Sequence, residues 1–250
     1  MERVIPTQLA DLYPHLDVVE STGSTNADLL ASDAPHGAVL IARHQSAGRG
    51  RRGRPWSAPA DTQLIFSVLL RVTDADVARL GTLPLAAGVA VTDVVAPATL
   101  KWPNDVLIDG RKLCGILAEA ASGPDGEFTV VVGVGLNHLL TREQLPVPHA
   151  TSLALEGVEI TRERLTVDVL TALAARLEQW RVGDPQLMAD YRAACSSLGK
   201  DVRLEAPGGD VEGTVTAVAD DGRIVIDGEA FAAGDVTHLR LRGQGPGALP

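Results

Sequence analysis

Cysteine and aromatic residues are scarce in this 250-residue sequence. Its two cysteines, Cys114 and Cys195, are too few for a disulfide framework and lack metal-ligand spacing, which fits a reducing cytoplasm. With only three Phe, two Tyr and three Trp, the core has to be built from Val, Leu, Ile and Ala. Apolar runs of membrane length are also missing: the most apolar stretch, Leu80 to Ala98, is interrupted by Pro84 and Asp93. The first residues, Met1 to Pro14, carry Glu2, Arg3, Gln8 and Asp11 and do not form a signal peptide. Positive charge is in deficit. The net charge of -10 argues against general affinity for nucleic-acid phosphates, which rests on accumulated Lys and Arg. The histidines, at 15, 36, 44, 138, 149 and 238, have no zinc-ligand spacing, and Ser152 sits in no nucleophile elbow.

What is there is an ordinary globular composition, 45% hydrophobic and 22% charged, in a chain long enough for one sizeable core and a small second domain. Between Asp33 and Asp61 no acidic residue occurs, yet Arg43, Arg49, Arg51, Arg52 and Arg54 fall there, so that segment is expected to meet something anionic. Asp17 to Glu20 reads as a strand, and the capping-rich run Ser21 to Asn26 opens a helix. Strands are expected at Ala38 to Ala42, Leu64 to Leu70, Leu100 to Trp102, Val106 to Ile108, Lys112 to Glu119 and Phe128 to Val134. Asp109-Gly110 and Gly123 to Gly126 supply two of the turns between them. Val77 to Val95 reads as a long helix that Pro84 kinks or breaks. Thr161 caps a helix running to Val182, and Asp184-Pro185 starts another. After Gly199 come short Val-rich strands, at Val202 to Glu205, Val211 to Val218, Ile224 to Ile226 and Ala230 to Ala232, read as a small barrel. The expected organisation is a domain over 1–199, a second over 200–242 and a disordered tail over 243–250.

Four segments carry chemistry. Gly48-Arg49-Gly50-Arg51-Arg52-Gly53-Arg54-Pro55-Trp56 combines backbone that can approach an anion with guanidinium forks and a flat apolar face for a base. Seen alone, the same run is equally a solvated or RNA-binding loop. Lys101-Trp102-Pro103-Asn104-Asp105 gathers a lysine and two hard oxygen donors that can hold Mg²⁺ beside a polyphosphate, although by itself it also fits a plain capped turn. In Lys112 to Glu119, Gly115 removes the side chain from a strand where a flat ligand could lie, although alone the segment better fits an ordinary hairpin with a solvated lysine. Gly133-Val134-Gly135-Leu136-Asn137 offers a further carboxamide but is by spacing a simple bend, because it opens no helix as a dinucleotide fingerprint would.

Taken together, Ser24-Thr25-Asn26, Gln45, Gly48 to Trp56, Lys101 to Asp105, Lys112 to Glu119 and Gly133 to Asn137 resemble, in order and spacing, the catalytic domain of biotin protein ligases over about Val18 to Tyr191. The segment after Gly199 resembles that family's SH3-like C-terminal domain. Cys114, where the family often has a small residue, and Pro55 depart from the pattern without touching a proposed catalytic group. The sister ligases for lipoate carry an Arg-Arg-x-Ser-Gly-Gly-Gly type motif that is absent here.

The resemblance implies an α+β fold: a class II aminoacyl-tRNA synthetase-like catalytic domain, with a mixed, largely antiparallel sheet and flanking helices, plus the small all-β barrel. It implies ATP-dependent formation of biotinyl-AMP, then transfer of biotin to a lysine of a biotin carboxyl carrier protein domain, in a cytoplasmic monomer or weak homodimer. The implied catalytic residues are Lys112, Arg49 and Arg51. Biotin would be held by Ser24, Thr25, Asn26, Gln45, Gly48, Arg49, Gly50, Arg51, Lys112 and Gly115. ATP would meet Arg51, Arg54, Trp56, Lys101, Asn104, Asn137 and Lys112, with Mg²⁺ at Asp105 and Asn104. Because the motifs begin near Ser24, no DNA-binding repressor domain is expected before them.

Overall fold

A computed structural model of the chain describes residues 7–122 and 128–239. The expected turn at Gly123 to Gly126 and the expected tail at 243–250 lie outside those residues. In chain order the elements are α1 Thr7–Ala10, β1 Leu16–Val19, α2 Thr25–Leu30, β2 Val39–Ala42, β3 Gln63–Val72, α3 Asp74–Val77, α4 Leu83–Val94, β4 Thr99–Lys101 and β5 Asp105–Ile108. They continue with β6 Arg111–Ser122, β7 Phe128–Asn137, α5 Arg162–Val182, α6 Pro185–Ala194, β8 Asp201–Ala206, β9 Gly209–Val218, β10 Ile224–Ile226, β11 Glu229–Phe231 and β12 Asp235–His238.

Strands β1 to β7 form one sheet in the order β1-β2-β3-β7-β6-β5-β4, with β1 and β2 parallel and every other pair antiparallel. The hairpin between β5 and β6 turns on Asp109 and Gly110, whose φ values of 48° and 74° are those of a two-residue primed turn. Register fixes what each face carries, because directly opposed residues share a face and neighbours along a strand alternate. Leu64, Phe66 and Val68 pair with Leu136, Val134 and Val132, which pair in turn with Cys114, Ile116 and Ala118; this face is apolar and covered by helices. The opposite face carries Gln63, Ile65 and Ser67, then Asn137, Gly135 and Gly133, then Gly115 and Leu117. It is polar at its ends, and Gly115, Gly133 and Gly135 leave a bare patch in its middle, a glycine floor.

The covering layer is α4, α5 and α6. Pro84 stands at the start of α4, where its missing N–H costs nothing, so it begins the helix and does not kink a longer one. The stretch before it is divided into α3 and a 3-10 turn at Leu80–Thr82. Gly88 faces Leu100 and Ile116 so closely that a Cβ there would come within 3.0 Å of the Leu100 side chain. α5 begins at Thr161, whose hydroxyl accepts from Arg164 N, and ends at Gly183 in the left-handed region at φ 70°. Arg176 on α5 ties the layer together by donating to Asp93 of α4 and Asp190 of α6.

Strands β8 to β12 form a separate antiparallel sheet in the order β11-β10-β9-β8-β12. Val202, Leu204, Val215, Ile224, Ile226 and Val236 turn inward and are continuous with the main core. Strand β12 was not expected from sequence. The second sheet sits against the Lys101 to Asp105 corner: buried Trp102 donates its indole N–H to Gly222 O (2.9 Å) and its backbone N–H to Ser197 Oγ (3.3 Å). Ser197 Oγ lies 3.0 Å from His238 Nε2. No helix among the described residues is long and apolar enough to cross a membrane.

Candidate functional site

The bare floor of the large sheet is where the sequence motifs converge. α2 starts above one end of it, with Ser24 in extended conformation as N-cap, so that Thr25 and Asn26 are driven down onto the sheet and buried. Gln45, buried in the segment after β2, accepts at Oε1 from Thr25 N (2.8 Å) and lies 3.0 Å from Thr25 Oγ1. Asn26 donates from Nδ2 to Leu117 O (3.2 Å) and Glu119 Oε2 (2.8 Å), while its Oδ1 lies 2.6 Å from Ser67 Oγ. Gly133 makes this seat possible, since a Cβ there would stand 2.2 Å from Asn26 Oδ1. Gly133 and Gly135 therefore belong to a straight strand over which other groups lie, in place of the bend that their spacing suggests.

The arginine loop covers the other end. Gly50 N donates to Arg54 O (2.7 Å) and Trp56 N to Gly48 O (2.8 Å), with Arg52 and Gly53 at positive φ at the tip. Gly48 permits the crossing, because a Cβ there would meet Trp56 O at 2.3 Å. Trp56 lies across the floor itself: a Cβ on Gly135 would fall 2.4 Å from its Nε1, and one on Gly115 would fall 3.0 Å from Cζ3. Its indole nitrogen is buried and has no hydrogen-bond partner among the described residues. The Lys112 ammonium stands 5.5 Å from the ring centroid, within cation–π range.

Lys112 also reaches Asp105, Nζ to Oδ1 2.5 Å, and Lys101 approaches the other oxygen at 3.7 Å. Asn104 donates to Ile116 O (2.8 Å) and turns its Oδ1 toward Arg51 Nη1 (3.5 Å). Asn137 stands apart from this cluster: it is buried, accepts from Gln63 Nε2 (2.7 Å) and donates to Thr151 O (2.8 Å). The Cys114 thiol faces the apolar side, and burial pushes it well above its ordinary range, so it is inert as a nucleophile.

Three of the four loop arginines are already paired. Arg51 Nη1 is 3.2 Å from Asp235 Oδ1, Arg54 also binds Asp235, and Arg52 reaches Glu205 Oε2 at 2.8 Å. Burial lowers the Arg51 guanidinium from its ordinary value, and Asp235 acts against that shift. Arg49 is exposed and has no ion-pair or hydrogen-bond partner among the described residues. A cavity of about 210 Å³ is lined by Arg51, Trp102 and Asn104 among others, and one of about 330 Å³ by Arg111, Arg142 and Thr151.

Among the described residues no group of three His, Cys, Asp or Glu could hold a metal ion. Asp105 faces two ammonium groups and Asn104 a guanidinium, so the corner is not a preformed cation cage. It fits a divalent cation that arrives coordinated by a polyphosphate and adds one or two protein oxygens. The sequence motifs identified Ser24, Thr25, Gln45, Trp56, Lys101, Asp105 and Lys112, which the fold gathers around one floor. Sequence reasoning missed Ser67 and Asp235. A lone serine in the apolar run Leu64 to Leu70 was the available signal for the first, and nothing local marked the second.

Residues 16–137 match the model of the biotin/lipoate A/B protein ligase family, and 197–239 match that of the biotin protein ligase C terminal domain. A biotin--[acetyl-CoA-carboxylase] ligase of Mycobacterium tuberculosis is 50% identical over 246 residues, covering 91% of this chain and 90% of that protein. The bifunctional ligase/repressor BirA of Escherichia coli is 32% identical over 170 residues, 65% of this chain and 52% of that protein. Among solved structures, a biotin protein ligase from Aquifex aeolicus in complex with biotin and ATP superposes with a TM-score of 0.77 at 25% identity, covering 91% of this chain and 100% of that one.

Proposed function

The chain belongs to the biotin protein ligase family, and on that premise we propose that its glycine floor takes biotin and that its lysine corner takes the phosphates of ATP. The enzyme is a biotin--[acetyl-CoA-carboxylase] ligase, with an α+β catalytic domain and a small SH3-like β domain. The observation that carries the site reading is Lys112, whose ammonium stands at once over Trp56 and on Asp105, where floor and corner meet.

In this reading Ser24, Thr25 and Gln45 contact the fused rings, and the bare strands at Gly115 and Gly135 accept the flat bicycle and chain. A biotin carboxylate oxygen attacks the α-phosphorus, a P–O bond forms, and pyrophosphate leaves with the electron pair of the broken P–O bond. Two unit negative charges about 4 Å apart repel by about 4 kcal/mol at an effective dielectric near 20. Lys112, Lys101 and the loop arginines offset that repulsion most strongly where charge accumulates in transfer. Asp105 and the Asn104 oxygen would hold a Mg²⁺ ion brought by the nucleotide, which would supply further positive charge beside the phosphates. The acceptor lysine amine then attacks the acyl carbon, releases AMP and loses its proton.

Asn26 and Asn137, expected to touch ligand, act by positioning: each carboxamide is engaged with backbone or buried partners. Arg49, the loop cation without a partner among the described residues, is the first guanidinium available to an incoming anion. Arg51 and Arg54 join by leaving Asp235, and Gly48 and Gly50 let the loop backbone come close. A biotin carboxyl carrier protein domain is the acceptor, in the cytoplasm, with the ligase a monomer or weak homodimer. Residues 1–199 form the catalytic domain and 200–242 the second.

The deciding experiment incubates the protein with Mg²⁺, ATP and either biotin or lipoate and reads acyl-adenylate and pyrophosphate by mass spectrometry. Biotinyl-adenylate formed only with biotin is the expected result. Lipoyl-adenylate, or no adenylate at all, would overturn the assignment.

A further inference from the structure

We propose that Ser67 is a positioning residue which, with Asn26 and Glu119, fixes the direction of the Thr25 hydroxyl and thereby selects a hydrogen-bond donor on the bound ring system. The inference rests on the reading of Thr25 and Gln45 as ring contacts.

Proton counting carries it. Asn26 Nδ2 faces two oxygens, Leu117 O and Glu119 Oε2, so the carboxamide cannot be turned around and Oδ1 only accepts. Its partner at 2.6 Å is Ser67 Oγ, which must give it its single proton. Ser67 Oγ also lies 2.6 Å from Thr25 Oγ1, and this contact needs the Thr25 proton. The third contact, Thr25 Oγ1 to Gln45 Oε1 at 3.0 Å, then has none, since Gln45 Oε1 is held in place by Thr25 N–H. Three oxygen–oxygen contacts share two hydroxyl protons, and the one left without is the longest. The hydrogen-bond chain therefore runs in one direction, from Thr25 to Ser67 to Asn26, with Asn26 Nδ2 donating in turn to the Glu119 carboxylate.

The consequence is a polarity. Thr25 Oγ1 and Gln45 Oε1 both present lone pairs to the same place, and a ligand N–H satisfies what a ligand carbonyl would repel. Ser67 lies on β3, beside the central strand β7, with no exposed surface and Gly133 opposite it, so it acts only through its neighbours. With Ser67→Ala, Asn26 Oδ1 loses its donor and the Thr25 proton is free to turn to Gln45, closing the acceptor pair. With Glu119→Gln, one of the two oxygens facing Asn26 Nδ2 gives way to a group that can also donate, so Leu117 O alone opposes reversal of the carboxamide and the sense of the chain is weakened.

The test is a cycle of protein variant against ligand analogue. Biotin and the two biotins methylated on one or the other ureido nitrogen are titrated calorimetrically into the full-length parent, Ser67→Ala and Glu119→Gln proteins, with ATP as a control ligand. Ser67→Ala is expected to weaken biotin about tenfold while leaving ATP affinity unchanged. For at least one methylated biotin, a penalty of about a hundredfold in the parent should shrink to about tenfold in both variants. An equal methylation penalty in all three proteins would overturn the positioning role and leave Ser67 a packing residue. A parent that binds ATP but not biotin would instead overturn the ring assignment and this inference with it.

Discussion

Arg51 and Asp235 are joined across 184 positions of sequence, guanidinium Nη1 to carboxylate Oδ1 at 3.2 Å, and both side chains are less than a quarter exposed. Asp235 also holds Arg54, and Glu205 on the neighbouring strand holds Arg52. The second sheet thus offers the arginine loop a set of carboxylates, and on the proposed reading substrate anions would compete for the same guanidinium groups. An ion pair of this partly shielded kind contributes about 1 kcal/mol.

Asp235→Asn should therefore loosen the loop without unfolding either sheet. Limited trypsin digestion of the ligand-free protein reads this directly, because Arg51 and Arg52 are themselves cleavage sites. Cutting within the loop is expected to accelerate about fivefold, the factor that corresponds to about 1 kcal/mol. A cutting rate equal to the parent's would show that the carboxylate does not restrain the loop.

Lys112→Ala removes the cation nearest both Trp56 and Asp105. Adenylate formation is expected to fall by at least about a hundredfold, the scale of losing one electrostatic contact to a transition state. The circular dichroism spectrum should stay that of the parent. Pyrophosphate release at the parental rate would take Lys112 out of the reaction.

Gly135→Ala tests the seat of Trp56, since a Cβ there would stand 2.4 Å from the indole nitrogen. The substitution should lower the melting temperature and shift tryptophan emission. In a Trp56→Ala background the same change should cost much less, because the atom it collides with is gone. Equal destabilisation in both backgrounds would mean that the glycine answers to something other than the tryptophan.

His238 provides a pH signature. Burial, then the nearby Lys101 and Lys200, lower its pKa in the folded protein, so the unfolded chain binds its proton more readily. Its contribution to stability is complete above the ordinary histidine value near 6.5 and is lost as pH falls below that toward the folded value. Denaturant titrations between about pH 7 and pH 5 should show stability declining more steeply in the parent than in His238→Gln. Parallel curves would remove His238 from the acid response.

Much of this was legible in the chain. Asp109-Gly110 announced its hairpin because a two-residue turn needs positive φ at both positions, and Thr161, Asp184 and Pro185 announced helix starts through the groups they supply to unsatisfied backbone. Gly115 was read correctly as a gap in a strand, whereas Gly133 and Gly135 looked like a bend: a glycine's meaning depends on what crosses it, and Asn26 and Trp56 cross from distant segments. Strand β12 is four residues long and sits at a sheet edge, too short to give a pattern of alternation. Asp235 and Ser67 acquire their roles only through long-range pairing, which no local window contains.

The indole N–H of Trp102 ends on the carbonyl of Gly222. Through that bond the turn at Gly222 joins Trp102 and Asn104 in lining one cavity, so the two parts are not interchangeable modules. A chimera that joins this catalytic half to a foreign C-terminal sheet would have to bring a carbonyl at that spot and an acid opposite the loop. Without them it would inherit a chamber with one side missing, however well each half folds by itself.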